Sequence, residues 1–187
     1  MESKKDIRTS SLQKRNQLTE KEWSEKTSII CKKVLNHPFF LESNTIYCYV
    51  DYRNEVGTRK IIEEAWKRGK KVAVPKIFGE QMLFGYLANW DELAKGYKGI
   101  LEPNVFALAK EETPLVIMPG AAFDSRRNRI GYGKGYYDQF LDKHSKCNTL
   151  GLAFECQIVE HIPAEPFDIC PQVLITEEEI YDDKFTK

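Results

Sequence analysis

An alternation of strand and helix patterns in the first half of the chain constrains its fold most strongly. A β-rich run at residues 45–50 precedes a helix predicted at 58–68, and residues 71–75 form the next strand. This order favours parallel pairing with a right-handed crossover. The apolar run at 114–119 is unbroken, which is typical of a strand covered on both faces of a sheet. We therefore predict a three-layer α/β/α sandwich with a mainly parallel sheet.

The remaining patterns fit a single domain that spans residues 1–187. A charged helix is predicted at 4–17, and Thr19–Glu22 is a capping box that opens a second helix, which ends at His37-Pro38. No repeat, low-complexity tract or flexible linker divides the chain. The other predicted elements are a hairpin followed by irregular chain at 82–108 and strands at 149–154 and 172–175.

Charge is balanced over the whole chain but is uneven along it. The 28 lysines and arginines equal the 28 aspartates and glutamates in number, so no global field attracts nucleic acid or a membrane. Between residues 121 and 135, however, four basic residues accompany the single acid Asp124. A local basic cluster in a neutral protein points to a small anionic ligand.

The cysteine pattern and the lack of long apolar segments narrow the cellular setting. The 5 cysteines are odd in number and form no CxxC pair, so neither a disulfide framework nor a zinc site is predicted. The charged N-terminus lacks the apolar region of a secretion signal. No run approaches the roughly 18 apolar residues of a membrane span. We expect a cytoplasmic protein with no membrane partner.

Residues 129–142 carry the clearest chemical signal. Three glycines at 131, 133 and 135 alternate with larger residues, Lys134 lies between the last two, and the run then turns helical. Glycine lets a backbone approach a ligand closely, and N–H groups at a helix N-terminus form an anion site. The spacing matches neither the Walker A motif nor the dinucleotide fingerprint. Because a plain strand-to-helix turn explains only one or two of these glycines, we predict a site for a nucleoside triphosphate.

Asp138 and Asp168 are candidates for a magnesium site. Asp138 follows the glycine-rich loop in the first helical turn, where a cation could bridge to a bound phosphate. Magnesium typically takes one or two carboxylates together with phosphate oxygens and water. Each residue also has a simpler explanation, since an acid is favoured near a helix N-terminus and Asp168 lies in a Pro-Phe-Asp turn.

Two further segments carry candidate binding residues. Lys4 and Arg8 share one helix face and could clamp a phosphate together, although a solvated charged helix explains them better. Glu55 follows the strand at 45–50, at the sheet edge where open α/β folds bind ligands, but an ordinary loop glutamate is equally consistent. Three tyrosines could stack on a planar ring, of which Tyr137 is expected in the core: Tyr132, Tyr136 and Tyr137.

Taken together, these residues resemble the 5-formyltetrahydrofolate cyclo-ligase family. The central match is Met-Pro-Gly-Ala-Ala-Phe-Asp at 118–124, followed by Arg-Ile-Gly-Tyr-Gly-Lys-Gly-Tyr-Tyr-Asp at 129–138. Supporting matches at 4–8, 55–58 and 72–75 occur in the family's order. The resemblance therefore covers almost the whole chain.

The resemblance implies a reaction that depends on ATP and Mg²⁺. In this reaction 5-formyltetrahydrofolate becomes 5,10-methenyltetrahydrofolate, with release of ADP and phosphate, through a phosphorylated formyl intermediate. The implied fold is similar to that of ribose-phosphate isomerase and the CoA-transferases. These small molecules are the only partners implied, with no nucleic acid and no membrane, and we expect a monomer.

Site residues follow from the same resemblance, position by position. The implied catalytic residues are Lys134 and Arg129. The implied ATP-binding residues are Lys4, Lys5, Arg8, Arg129, Ile130, Gly131, Tyr132, Gly133, Lys134, Gly135, Tyr136 and Tyr137. The residues implied for the folate pocket are Val50, Glu55, Tyr132, Gly133, Lys134, Gly135 and Tyr136, and those for the metal are Asp138 and Asp168.

Two positions depart from the family's pattern, and two other functions stay open. Arg127 stands where the family usually has glycine, and Gln172 replaces a frequent acid. One alternative function is that of another small ATP-dependent phosphotransferase that uses the same glycine-rich loop. The other is a nucleic-acid-binding module built on the basic cluster and the tyrosines, against which the balanced charge argues.

Overall fold

The structure is a computed structural model that describes residues 3–183. Its α-helices are α1 (Lys4–Asn16), α2 (Glu20–Asn36), α3 (Pro38–Glu42), α4 (Arg59–Lys67) and α5 (Tyr136–Lys143). Short 3-10 turns occur at Trp90–Glu92, Tyr97–Gly99 and Glu155–Gln157.

The strands form one large sheet and two small ones. The strands of the large sheet are β1 (Thr45–Cys48), β2 (Lys71–Phe78), β3 (Gln81–Tyr86), β6 (Leu115–Met118), β9 (Asn148–Leu152), β11 (Val173–Ile175) and β12 (Ile180–Tyr181). The strands of the small sheets are β4 (Leu93–Lys95) with β5 (Leu101–Pro103), and β7 (Ala122–Asp124) with β8 (Arg129–Ile130) and β10 (Ile158–Val159).

The large sheet confirms the prediction of a mainly parallel sheet. Its strand order is β12-β11-β9-β6-β1-β2-β3. The five inner strands run parallel to one another, and each edge strand is antiparallel to its neighbour. From β1 the chain builds outward first to β2 on one side and then to β6, β9 and β11 on the other. The strand order therefore switches between β1 and β6, which is the position where open α/β sheets gather ligands.

Helices cover both faces of this sheet, which confirms the three-layer sandwich. Alternate side chains of a strand point to opposite faces. Ile46 and Cys48 of β1 lie in a buried cluster with residues of α2 and α4. Tyr47, between them, lies in a second cluster with Phe140 and Leu141 of α5. The unbroken apolar run of β6 likewise contributes to both clusters, so its predicted burial on two faces is confirmed.

Two of three local predictions need correction. Strand β1 ends at Cys48 rather than at residue 50, because the Tyr49 carbonyl accepts a hydrogen bond from the Thr58 hydroxyl (2.8 Å) and the chain turns there. Pro38 follows the end of α2 as predicted, but it also begins α3, in which a proline is tolerated in the first turn. The charged helix α1 is not fully solvated, since it packs against β7 and the turn Glu155–Gln157.

Two sequence predictions about covalent and membrane character can be compared with the described residues. All five cysteines are unpaired thiols, in agreement with the absence of a disulfide framework. None of the helices within residues 3–183 is both long and apolar enough to cross a membrane.

Candidate active site

The candidate site lies where the strand order of the large sheet switches. The loop after β1 carries Glu55, and the segment after β6 leads through β7 and β8 to the glycine-rich loop. Hydrogen bonds fix the first of these loops, because Asp51 Oδ1 accepts from the Thr58 N–H (2.8 Å) and Trp23 Nε1 donates to the Glu55 carbonyl (2.8 Å). The loop after β1 and the segment after β6 therefore leave the carboxyl ends of adjacent parallel strands.

The glycine-rich loop takes backbone conformations that its glycines permit. Gly133 has φ of 94° and Gly135 has φ of 65°, which lie in the left-handed region that side chains disfavour. Gly135 is also the residue that precedes α5, so the loop ends at a helix N-terminus. At Gly131 a Cβ atom would come within 2.9 Å of Arg129 Nη1. The glycines thus serve both loop geometry and close packing against a cation.

A cavity of about 580 Å³ lies beside this loop. Nine of the residues predicted for the site line it: Lys4, Arg8, Arg129, Ile130, Gly131, Gly133, Gly135, Asp138 and Asp168. The cavity is also lined by Gln139, Asp142, Glu165, Pro166, Phe167 and Ile169. The structure therefore brings together residues from the chain's first helix, its centre and its last quarter.

Helix α1 contributes two cations to the cavity, which overturns the reading of Lys4 and Arg8 as solvated. Lys4 Nζ donates to Asp168 Oδ2 and to Glu165 Oε2, both at 2.6 Å. Burial lowers the pKa of Lys4, but these two carboxylates outweigh it and raise the pKa above its ordinary value. Arg8 Nε donates to the Gly131 carbonyl at 2.8 Å. The helix is thereby tied to the glycine-rich loop and to the segment around Asp168.

Arg129 and Asp138 form an ion pair on the cavity wall. Arg129 is 7% exposed, and its Nη2 donates to Asp138 Oδ2 (2.9 Å) and Oδ1 (3.0 Å). The Ile169 N–H also donates to Asp138 Oδ1, at 3.0 Å. The Arg129 guanidinium lies 5.7 Å from the centre of the Tyr137 ring, within range of a cation–π contact. Asp138 is therefore held in place by two groups, the Arg129 guanidinium and the Ile169 N–H.

The predicted metal ligands fit a cation that is bound together with phosphate. Asp138 and Asp168 line the same cavity, and each is neutralised by a basic side chain, Arg129 or Lys4. Across residues 3–183 no group of three or more His, Cys, Asp or Glu side chains is arranged to hold a metal. Magnesium needs only one or two carboxylates when phosphate oxygens and water complete its shell. The donor set is thus suited to magnesium that arrives with a nucleotide.

Glu55 and Tyr132 lie together and are not among the residues that line the cavity. Glu55 is 8% exposed, and its Oε2 accepts from the Tyr52 N–H at 2.8 Å. The Tyr132 hydroxyl donates to the Glu55 carboxylate. Burial raises the pKa of Glu55, and the hydrogen bonds from Tyr132 and Tyr52 oppose that rise. Val50 is buried in the core cluster shared with α2 and α4.

Four other predicted residues take different positions. Lys5 and Lys134 are exposed and do not line the cavity. Tyr136 and Tyr137 pack against the buried cluster beneath α5, as expected for Tyr137. The Tyr137 hydroxyl is buried, and no hydrogen-bond partner is found for it among the described residues. Burial raises its pKa strongly, so it is a neutral donor that faces inward.

The sequence analysis missed several residues of this region. Arg15 is buried on α1, and its Nη1 donates to the Tyr132 hydroxyl at 2.8 Å. Its spacing from Lys4 and Arg8 could have revealed it, since all three fall on one side of a helix of 3.6 residues per turn. No comparable signal marks the cavity-lining residues Gln139, Asp142, Glu165 and Phe167, which reach the site only through tertiary folding.

The two departures from the family's pattern have structural consequences. Arg127 has φ of 70°, a conformation that favours glycine. Its buried side chain compensates, because Nε donates to the Pro171 carbonyl (3.2 Å) and Nη2 to Asp183 (2.9 Å). Gln172 pairs with Thr149, where it accepts from the Thr149 N–H at 3.1 Å. Neither residue lines the cavity.

Comparison with known proteins places the chain in a family. The profile of the 5-formyltetrahydrofolate cyclo-ligase family matches residues 1–177. The chain is 28% identical over 178 residues to the 5-formyltetrahydrofolate cyclo-ligase of Escherichia coli (strain K12), which covers 91% of this chain and 98% of that protein. It is 32% identical over 170 residues to the probable 5-formyltetrahydrofolate cyclo-ligase of Schizosaccharomyces pombe, which covers 81% and 83%.

Solved structures agree with this placement. The 5,10-methenyltetrahydrofolate synthetase of Aquifex aeolicus, solved by NMR, superposes with a TM-score of 0.85 at 30% identity and covers 96% of this chain and 92% of its own. The synthetase of Mycoplasma pneumoniae shares the fold, with a TM-score of 0.73 at 24% identity, and covers 94% and 99%. The match over nearly the whole chain, together with the glycine-rich loop and its cavity, shows that this chain belongs to the 5-formyltetrahydrofolate cyclo-ligase family of ligases.

Proposed function

We propose that this chain converts 5-formyltetrahydrofolate to 5,10-methenyltetrahydrofolate in a reaction that consumes ATP, requires Mg²⁺ and releases ADP and phosphate. The observation that carries the proposal is the cavity beside the glycine-rich loop. It combines three basic side chains, left-handed glycines at a helix N-terminus and paired carboxylates. Family membership supplies the folate substrate. The monomeric state, single domain and cytoplasmic location stay predictions.

The charges of the cavity support a nucleotide that enters with a divalent cation. Three cations line the cavity, namely Lys4, Arg8 and Arg129. Four carboxylates line it as well, namely Asp138, Asp142, Glu165 and Asp168. A triphosphate alone would meet this excess of acids and be repelled, whereas a divalent cation would pair with both the acids and the phosphate oxygens. The residues proposed for Mg²⁺ are Asp138 and Asp168.

The proposed chemistry needs no side-chain nucleophile. The formyl oxygen of the substrate attacks the γ-phosphorus of ATP, the bond from that phosphorus to the β–γ bridging oxygen breaks, and ADP leaves. The 10-nitrogen of the folate then attacks the formyl carbon, loses its proton and closes the ring, and phosphate departs with the former formyl oxygen. Phosphoryl transfer of this kind depends on positioning and on charge neutralisation.

Residues of this chain would both position the substrates and neutralise the charge. Arg8 and the loop N–H groups would orient the phosphates, and Lys134 and Arg129 would neutralise the charge that develops on the transferred group. When bound, Mg²⁺ supplies further neutralisation of phosphate charge. Glu55, at the carboxyl end of β1, would accept hydrogen bonds from N–H groups of the folate. Tyr137, with its neutral inward hydroxyl, is a further donor on that side.

An absorbance assay tests the proposal directly. Purified protein is mixed with 5-formyltetrahydrofolate, Mg²⁺ and ATP, and the near-ultraviolet methenyl band is followed. We expect the band to rise only when both ATP and Mg²⁺ are present. Release of ADP at the same rate without folate, and with no change in the band, would instead indicate a phosphotransferase that uses another acceptor.

Phe167 gives a further prediction about nucleotide binding. Its side chain is 70% exposed at the rim of the cavity, beside the Asp168 that Lys4 holds. A base that stacks on an aromatic ring gains about 1–3 kcal/mol, so Phe167→Ala should weaken ATP binding about tenfold, as measured by the KM for ATP. Phe167→Tyr should keep normal binding. The control is Val105→Ala, which removes an apolar side chain that is 81% exposed away from the cavity lining. An unchanged KM in Phe167→Ala would contradict stacking.

A further inference from the structure

A buried arginine stands behind the proposed folate-binding carboxylate. Arg15, on α1, is 4% exposed. Its Nη1 donates to the Tyr132 hydroxyl (2.8 Å), and that hydroxyl donates in turn to the Glu55 carboxylate. The Tyr52 N–H also donates to this carboxylate, at Oε2 (2.8 Å). A relay of hydrogen bonds therefore links helix α1, the glycine-rich loop and the loop after β1.

Burial of the Arg15 side chain carries a free-energy cost that a purely structural role would not explain. No carboxylate among residues 3–183 forms an ion pair with it, and its Nε is buried without a hydrogen-bond partner. A buried charge without direct pairing is expensive, and an apolar side chain at this place on α1 would avoid the expense. The positive charge of Arg15 does act on Glu55, where it lowers the pKa against the effect of burial. The Arg15 guanidinium is therefore linked to the buried Glu55 carboxylate through one group, the Tyr132 hydroxyl, and its positive charge favours the ionised carboxylate.

We infer that Arg15 is a positioning residue for folate binding, which acts through Tyr132 to hold Glu55 in the ionised, correctly oriented form. This inference rests on the proposed function. An ionised carboxylate accepts hydrogen bonds from substrate N–H groups at both oxygens and more strongly than the protonated group does, and burial alone would favour the protonated form. Arg15 supplies the compensating charge, and the Tyr132 hydroxyl fixes the carboxylate's direction.

The groups around Glu55 determine in which direction its pKa moves when the charge of Arg15 is removed. Arg15, Tyr132 and the Tyr52 N–H favour the charged form, whereas burial and the nearby Asp51 disfavour it. The hydroxyls of Tyr49 and Tyr137 also lie within the field of Glu55, and burial holds both neutral. Removal of the Arg15 charge therefore raises the pKa of Glu55. Folate binding should then weaken at neutral pH and recover as the pH rises.

The test uses direct binding, so that it does not depend on turnover. Quenching of tryptophan fluorescence by 5-formyltetrahydrofolate is titrated without ATP, from mildly acidic to mildly alkaline pH. The variants are Arg15→Met, which keeps length but not charge, and Arg15→Lys, which restores the charge. Affinity should fall together with the ionised fraction of Glu55, because the ionised carboxylate is the stronger acceptor for substrate N–H groups. We therefore expect folate to bind about tenfold more weakly to Arg15→Met at neutral pH.

The pattern across variants separates a positioning role from simple packing. Arg15→Met should regain affinity at alkaline pH, Arg15→Lys should resemble the unmodified protein, and Tyr132→Phe should shift in the same direction as Arg15→Met. The control is Lys14→Met, which neutralises the adjacent, exposed residue of α1. If Arg15→Met loses affinity equally at all pH values, or loses none, the inference about Arg15 is overturned. The proposed function would still stand in that case, provided that the unmodified protein binds folate. Failure of the unmodified protein to bind folate at any pH would overturn both.

Discussion

Lys134→Ala is expected to lower kcat about 100-fold while the KM values for ATP and folate change little. The loss of one donor that stabilises transition-state charge typically reduces kcat by about 10²–10³. Lys134 lies between two left-handed glycines just before α5, and its proposed role is to neutralise charge on the transferred phosphoryl group. Because this interaction is made with the transition state, the effect should appear in kcat rather than in KM.

The structure also predicts that this variant folds normally. No hydrogen bond or ion pair of the Lys134 side chain is found among residues 3–183, and the residue is exposed. Thermal unfolding of Lys134→Ala should therefore match that of the unmodified protein. Lys143→Ala, at the other end of α5, is the matched control and should keep full activity. A normal kcat in Lys134→Ala would remove Lys134 from the mechanism.

Asp138→Asn should raise the Mg²⁺ concentration needed for half-maximal activity about tenfold or more. Loss of a group that hydrogen-bonds to a metal ligand already lowers metal affinity or activity roughly 10- to 100-fold. Loss of a direct ligand should lower them at least as much. Asparagine keeps one side-chain oxygen that can accept from the Ile169 N–H, as Asp138 Oδ1 does at 3.0 Å. The measurement is activity against free Mg²⁺ at a constant concentration of the magnesium–ATP complex.

A variant of the neighbouring Asp142 distinguishes loss of a metal ligand from loss of negative charge in the cavity. Asp142 lines the same cavity, one turn further along α5, and is not proposed as a ligand. Asp142→Asn removes the same charge from the cavity, so its Mg²⁺ titration should shift much less than that of Asp138→Asn. Superimposable titrations for the two variants would show that Asp138 contributes only its charge. Asp138 would then be a structural partner of Arg129.

Local pattern was enough to predict the four longer helices and the five parallel strands of the large sheet, but not the short elements α3, β7, β8, β10 and β12. Unbroken apolar runs such as β6 predict strands covered on two faces, and both faces are indeed covered. The capping box at Thr19 predicts the start of α2, and the structure contains it. The ends of elements were less predictable, because tertiary hydrogen bonds set them. β1 stops early since Thr58, ten residues beyond its last residue, bonds to the Tyr49 carbonyl.

The composition of the cavity could be predicted only in part. Residues within one motif, such as Gly131 and Asp138, are brought together by local geometry and are visible in the sequence. Glu165 and Phe167 reach the cavity through folding of distant chain, so their types alone carry no signal. Lys4 and Arg8 were underestimated for the same reason, since their partners lie more than 100 positions away. Arg127 is different, because a left-handed backbone angle cannot be read from an arginine.

The ion pair between Lys4 and Asp168 has a consequence for synthesis of the protein. It joins residues 164 positions apart that both line the cavity. During translation the chain emerges from its N-terminus and folds as it lengthens, so α1 lacks this partner until the segment that contains Asp168 has left the ribosome. A nascent chain that already contains the glycine-rich loop therefore still lacks residues 165–169, which line the cavity. The cavity proposed to bind the nucleotide is complete only when α1 and this later segment meet.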